Sequence, residues 1–99
     1  MKLVTPLPTA FLQESSWERG RISRGELYRV VVSFADTDGD QHYVGEQWTY
    51  IGSWCSKFDN DVTLFVSGSD GTNFQFSLHW TPGTQEQVIE NILTYICRV

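Results

Sequence analysis

Residues 74–80 read Phe-Gln-Phe-Ser-Leu-His-Trp, and the rest of the fold must accommodate this stretch. Its aromatic and aliphatic residues alternate with polar ones, which is the period-two pattern of a strand with one buried face. Asp70-Gly71 precedes the stretch and Pro82-Gly83 follows it, so turn-forming residues stand at both ends. The pattern predicts a strand whose large apolar face needs a second layer to cover it.

Three further strands are predicted from β-branched and aromatic residues, at Leu27–Ala35, Gln47–Cys55 and Val62–Ser67. Ser69–Thr72 contains Asp-Gly between two alternating runs, which predicts a tight hairpin into the opening strand.

Trp48, Tyr50 and Trp54 are expected on one face of the second of these strands. Gly45-Glu46, just before that strand, is a candidate position for a bend or bulge.

A helix is predicted at the C-terminal end of the chain. Thr84 and Gln87 have the spacing of a capping box, and Arg98 suits the far end of the helix. Apolar residues at helical spacing form one stripe, which consists of Val88, Ile89, Ile92, Leu93 and Ile96. A weaker, short helix is predicted at Thr9–Glu18, between the N-cap residue Thr9 and Gly20.

These elements predict an α+β fold in which a curled four-stranded antiparallel sheet packs against the C-terminal amphipathic helix. Closure of the sheet into a small SH3-like barrel, with Asp36–Gly45 as a long first loop, is the alternative. Residues 1–24 are interpreted as a lead-in containing the short helix, and residues 25–99 as a single domain.

Composition limits the classes of function. Seven basic against twelve acidic residues give a net charge of −5, which argues against a fold-wide nucleic-acid binder. The chain has no apolar run of bilayer length and no signal-peptide pattern, so a cytoplasmic protein without membrane association is expected. Cys55 and Cys97 are interpreted as reduced thiols; a Cys55–Cys97 bridge is the alternative, and it requires the last helix to pack beside the strand Gln47–Cys55.

Sequence patterns that suggest chemistry are weak. Counted from Asp36, an EF-hand loop would need Gly at position 6 and Glu at position 12, where the chain has Gln41 and Gln47. Cys55 with His42 or His79 is the one conceivable nucleophile–base pair. No catalytic residue, metal or cofactor is therefore expected, and the protein is predicted not to be an enzyme.

A partner-binding surface is the better-supported expectation. Two acidic loops, Asp36–Asp40 and Lys57–Asp61, together with Trp54, Phe58 and Phe65, resemble an interaction patch of aromatic residues rimmed by acids. The candidate partner-binding residues are Asp36, Asp38, Asp40, Trp54, Phe58, Asp59 and Asp61.

From Gly25 to Ile96 the chain resembles a family of small, mostly bacterial domains of unknown function. The resemblance rests on Gly25–Val30, on Phe34-x-Asp-x-Asp-Gly, on Gly45-Glu-x-Trp-Thr-Tyr-Ile-Gly52, on Phe58-Asp-Asn-Asp61 with Thr63-Leu-Phe-Val66, and on Trp80-Thr-Pro. It implies a small, self-contained intracellular domain, and it supplies no activity or catalytic residues.

The expected function is therefore a small acidic protein-binding module. Its sharpest form is a bacterial immunity or inhibitor protein that masks a basic surface on a toxin or nuclease. The alternative is a structural or regulatory domain that homodimerises, or binds a peptide, at a strand edge or aromatic patch. An uncharacterised enzyme, with Cys55, a histidine and an acid in one deep pocket, is the third hypothesis.

Overall fold

The computed structural model describes residues 1–4, 15–56, 60–81, 83 and 85–99. Strands account for most of its regular structure, and its helices are short. The elements in chain order are β1 (Lys2–Leu3), β2 (Leu27–Val30), β3 (Phe34–Ala35), β4 (Gln41–His42), β5 (Gln47–Ser56), β6 (Asp61–Ser67), β7 (Asn73–His79), α1 (Glu86–Glu90), α2 (Ile92–Tyr95) and β8 (Ile96–Arg98).

The main sheet has six strands in the order β1-β7-β6-β5-β2-β8, and every neighbouring pair is antiparallel. The long strands β5, β6 and β7 form its centre, while β3 and β4 pair separately as a two-stranded sheet. The opening stretch is thus confirmed as a strand, and it lies one position from the edge of the sheet.

The tight hairpin between β6 and β7 is also confirmed. Gly71 has a φ of 83°, a left-handed conformation that glycine adopts at little cost. The Gly68 amide donates to the Thr72 carbonyl at 2.8 Å, and Asp70 Oδ1 accepts from the Thr72 amide at 2.9 Å. This second hydrogen bond holds the pKa of Asp70 below its ordinary value.

A bulge in β5 reverses which side chains face the core in the second half of the strand. Tyr50 pairs with Val66 but Gly52 pairs with Phe65, so Ile51 is an extra residue in β5. Beyond this point the alternation is reversed, because one added residue moves every following side chain to the other face. The predicted common face for Trp48, Tyr50 and Trp54 is therefore wrong for Trp54, and the bulge lies at Ile51 rather than at Gly45-Glu46.

The core lies on one face of the main sheet. Trp17, before β2, enters it and donates from Nε1 to the Ile89 carbonyl at 2.9 Å. The buried residues of this cluster are Trp17, Ile22, Tyr28, Val30, Phe34, Trp48, Tyr50, Val62, Leu64, Val66, Phe76, Leu78, Val88, Ile89, Ile92 and Ile96. Phe74 and Trp80 pack against it, half-buried.

The predicted C-terminal helix is wrong as a single element. Asn91, with φ −123° and ψ 40°, separates α1 from α2, and Ile96 is extended at φ −129° and ψ 153°. From Ile96 the chain pairs with β2 as strand β8, so Arg98 lies in a strand. Thr84, of the predicted capping box, lies outside the described residues; Gln85 precedes α1, and its side-chain oxygen accepts from the His79 amide at 3.0 Å.

The predicted strand Leu27–Ala35 divides after Val30. The amides of Val31 and Val32 both donate to the Tyr95 carbonyl, at 2.7 and 3.1 Å, which interrupts the regular ladder. Both side chains are exposed, and Phe34–Ala35 then pairs with Gln41–His42.

The predicted fold class is therefore wrong. A six-stranded sheet and a two-stranded sheet replace the four-stranded sheet with one amphipathic helix, and the six-stranded order ends at β1 and β8 rather than closing as a barrel. Most of the predicted helix Thr9–Glu18 lies outside the described residues, and residues 16–21 form turns.

Candidate functional site

The acidic loop after β3 is built around the buried Asp36. Its Oδ1 accepts from the amides of Asp38 and Asp40, at 3.0 and 3.1 Å, and Gly39 takes a φ of 84° to close the turn. Aspartate forms such turns because its short side chain reaches amides two and four residues ahead. Asp36 is 2% exposed, so it shapes the loop from within instead of presenting a charge to a partner.

The other oxygen of Asp36 faces a buried histidine. His42 Nε2 lies 2.8 Å from Asp36 Oδ2, and His42 Nδ1 lies 2.6 Å from Glu46 Oε2. Trp48 Nε1 also donates to that Glu46 oxygen, at 3.0 Å. The His42 ring stacks on Phe34, with centroids 4.8 Å apart.

This arrangement favours the protonated, cationic form of His42. Each ring nitrogen meets a carboxylate oxygen, which can only accept, so both nitrogens must carry a proton. Burial lowers the pKa of His42, but the hydrogen bonds and charges of Glu46 and Asp36 outweigh it, and the pKa is raised above its ordinary value. The group is therefore a structural ion cluster in the core.

Asp38 and Asp40 differ from Asp36 because they are exposed. Asp38 Oδ2 lies 3.4 Å from Lys2 Nζ, and Asp40 Oδ2 lies 3.1 Å from the Met1 amino group. Ion pairs this exposed contribute little stability, about 0–1 kcal/mol, and weaken with salt. The two carboxylates are thus available to exchange partners.

The acidic loop and Asp61 each contact a residue of strand β7. The Thr37 amide donates to the Ser77 carbonyl at 2.9 Å, which fixes Asp38 and Asp40 beside that strand. Two residues further along, His79 is paired across the sheet with Asp61 of β6, and the two side chains form an ion pair. We call the surface formed by Asp38, Asp40 and Asp61 the acidic edge.

Trp54 is 43% exposed and lies on the outer face of the sheet, opposite the core. It is paired with Thr63, which in turn is paired with Ser77, and the Thr63 and Ser77 hydroxyls are 2.7 Å apart. Trp54 and the acidic edge therefore share one end of β5–β7. Phe58 and Asp59, the remaining candidate residues, lie outside the described residues.

The cysteine–histidine pairs considered from the sequence do not assemble. Cys55 shares its row with Val62 and Leu78 on the core face, whereas His79 is on the outer face and His42 is held by Asp36 and Glu46. Burial raises the pKa of the Cys55 thiol, which opposes thiolate formation.

The two cysteines are free, and the sheet keeps them apart. Cys97 is paired with Arg29, and Arg29 is paired with Gln47 at the start of β5. Cys55 lies near the other end of β5, about 26 Å from Gln47 at the usual strand rise. The bridge considered from the sequence therefore cannot form in this fold.

A second buried ionic cluster was missed by the sequence argument. Glu18 is 3% exposed and accepts from Tyr50 Oη and, at 3.2 and 3.0 Å, from Arg24 Nε. Burial raises the pKa of the Tyr50 hydroxyl. The sequence signal was the position of Glu18 directly before the basic run Arg19, Arg21 and Arg24, which could have suggested pairing within this segment.

Within residues 1–4, 15–56, 60–81, 83 and 85–99, no three or more His, Cys, Asp or Glu side chains are grouped as metal ligands. In the same ranges, each helix is too short or too polar to cross a bilayer.

The fold and site together define a small antiparallel-sheet domain with its helices on one face and an acidic edge at one end of the sheet. No protein-family model matches the chain, and no curated protein does. Among solved structures, an integron cassette protein from the mobile metagenome of Vibrio cholerae is similar, with a TM-score of 0.83 and 24% identity over 94% of this chain and 99% of that one. The similarity shows a shared fold and is consistent with the resemblance to small, mostly bacterial domains.

Proposed function

We propose that the chain is a non-enzymatic protein-binding module that presents the acidic edge to a basic surface of a partner protein. The observation that carries the proposal is the hydrogen bond from the Thr37 amide to the Ser77 carbonyl, at 2.9 Å. It brings the loop containing Asp38 and Asp40 to the strand on which His79 pairs with Asp61.

The charges of the acidic edge support this role. Asp38 and Asp40 are engaged by exposed cations, and a partner's lysines or arginines could replace these at small cost. The net charge of −5 would add long-range attraction to a basic partner and speed association at low salt. In its sharpest form, the proposal is a bacterial immunity or inhibitor protein that masks a basic surface of a toxin or nuclease.

The experiment compares two charge reversals of equal size. Asp38→Lys alters the acidic edge. Glu26→Lys alters an exposed acid just before β2, which is three strands away from β7 in the order of the main sheet. Immobilised wild-type and variant proteins are exposed to lysate, and retained proteins are quantified by mass spectrometry at low and high salt. The proposal expects a partner that wild type and Glu26→Lys retain, that Asp38→Lys loses, and that high salt releases. Equal retention by all three proteins would overturn it.

A second candidate function is homodimerisation through strand β8, the last strand in the order of the main sheet. Leu93 and Val99, which precede and follow this strand in the chain, are exposed, and strands at the edge of a sheet favour strand addition. Light scattering over a concentration series would show the dimer. Loss of dimers in Arg98→Pro would indicate pairing at β8, and loss in Trp54→Ala would instead indicate the outer face.

A further inference from the structure

Two separate segments of the chain occupy the side of β7 that faces away from β6. Strand β1 is paired there, with Lys2 opposite Gln75, and the Val4 amide donates to the Asn73 carbonyl at 3.0 Å. Further along the same side, the Thr37 amide donates to the Ser77 carbonyl at 2.9 Å. We call the side of β7 between residues 73 and 77 the β7 edge.

The side chains of residues 2–4 define what this edge accepts. Lys2 Nζ lies 3.4 Å from Asp38 Oδ2, and Val4 is buried at 7% exposure. Leu3, between them, is 69% exposed. Because side chains alternate along a strand, Lys2 and Val4 are directed to the same face. The β7 edge therefore holds a basic residue two positions before a buried aliphatic one.

The bound segment is short, and its ion pair with Asp38 is exposed. Strand β1 has two residues, and both members of the Lys2–Asp38 pair are exposed, at 65% and 44% for their side chains. An exposed ion pair contributes little to stability, and Leu3 buries little apolar surface. A longer extended segment with the same side-chain pattern would make the same backbone hydrogen bonds and could replace this one.

We propose that the β7 edge and Asp38 form a docking site for an extended segment of a partner protein that carries Lys or Arg two residues before an aliphatic residue. Residues 1–4 occupy this site until the partner displaces them. The inference rests on the proposed function, since it names the chemistry that the acidic edge accepts. Recognition of this kind adds a strand to a sheet: the backbone supplies affinity and the alternate side chains supply specificity.

The test uses the full-length chain and a synthetic probe, acetyl-Gly-Gly-Lys-Leu-Val-Gly-Gly-amide. The peptide is titrated into ¹⁵N-labelled wild type and the Lys2→Glu variant while amide shifts are followed. Lys2→Glu places a carboxylate beside Asp38, so its own segment competes less well. We expect about 5-fold tighter peptide binding to the variant, with the largest shifts at Asn73–Ser77. A control peptide with Glu in place of Lys should bind neither protein.

Equal binding of the lysine and glutamate peptides, shifts away from the β7 edge, or no binding to Lys2→Glu would each overturn the inference. This failure is distinguishable from failure of the proposed function. If Asp38→Lys loses a retained partner but the peptide does not shift Asn73–Ser77, the acidic edge binds without strand addition. If the peptide binds at the β7 edge and Asp38→Lys retains every partner, the docking site stands and the proposed function fails.

Discussion

The carboxylate of Asp36 lies 2.8 Å from Nε2 of His42, and both side chains are 1% exposed. A pair buried this deeply requires further partners, because removing two charges from water is costly. Asp36 has the amides of Asp38 and Asp40, and His42 has Glu46. The cluster thus joins the acidic loop to β4 and to the turn before β5.

Removal of His42 should destabilise the fold strongly. His42→Leu leaves the buried Asp36 carboxylate without its cation, and we expect a loss of about 3 kcal/mol in the free energy of unfolding. Urea denaturation measures the loss. His79→Leu is the matched control, because the His79–Asp61 pair is partly exposed and its removal should cost under about 1 kcal/mol. Similar losses in the two variants would contradict a special role for the buried pair.

The stabilisation by His42 should depend on pH in one direction. The pKa of His42 is raised in the folded state, so the folded protein binds the proton more tightly than the unfolded chain does. The stabilising contribution is fully present below about pH 6.5, the unfolded value, and is lost as pH rises through the folded-state pKa. We expect the stability difference between wild type and His42→Leu to shrink above pH 6.5. A difference that stays constant or grows in urea denaturation at pH 6–9 would contradict the ionised cluster.

The sequence predicted those parts of the fold that depend on local periodicity. Alternation identified β6 and β7, and Asp70-Gly71 identified the hairpin between them. The bulge at Ile51 was not predictable, since β5 keeps a strand-like composition on both sides of it. Residues 96–98 were misassigned because the apolar spacing that ends at Ile96 fits a helix, whereas pairing of Ile96 with Val30 selects a strand. Tertiary contacts override local preference in such segments.

The candidate site was predictable only in part. The sequence identified the acidic residues but could not distinguish the buried Asp36 from the exposed Asp38 and Asp40. The distinction depends on His42, six residues away across the β3–β4 connection. The spacing of His42 and Glu46 gave no indication by itself, because it acquires meaning only when His42 is buried and Glu46 accepts from both His42 and Trp48.

The bulge predicts opposite outcomes for two tryptophans of β5. Trp48, at 2% exposure, packs in the core, and Trp48→Ala should cost about 3–5 kcal/mol. Trp54→Ala, on the outer face at 43% exposure, should cost about 1 kcal/mol or less. Urea denaturation of both variants measures the difference. Comparable losses would contradict the reversal of faces at Ile51.

The hydroxyl of Tyr50 should matter more than that of an exposed tyrosine. It donates to the buried carboxylate of Glu18, and hydrogen bonds to a charged group contribute about 1.5–3 kcal/mol. Tyr50→Phe removes the donor, keeps the ring and leaves Glu18 with Arg24, so a loss in that range is expected. Tyr43→Phe is the matched control: its ring is 68% exposed, and its free energy of unfolding should change by less than about 0.5 kcal/mol. If both substitutions are neutral in urea denaturation, Arg24 and the Ser53 hydroxyl are sufficient to compensate the Glu18 charge.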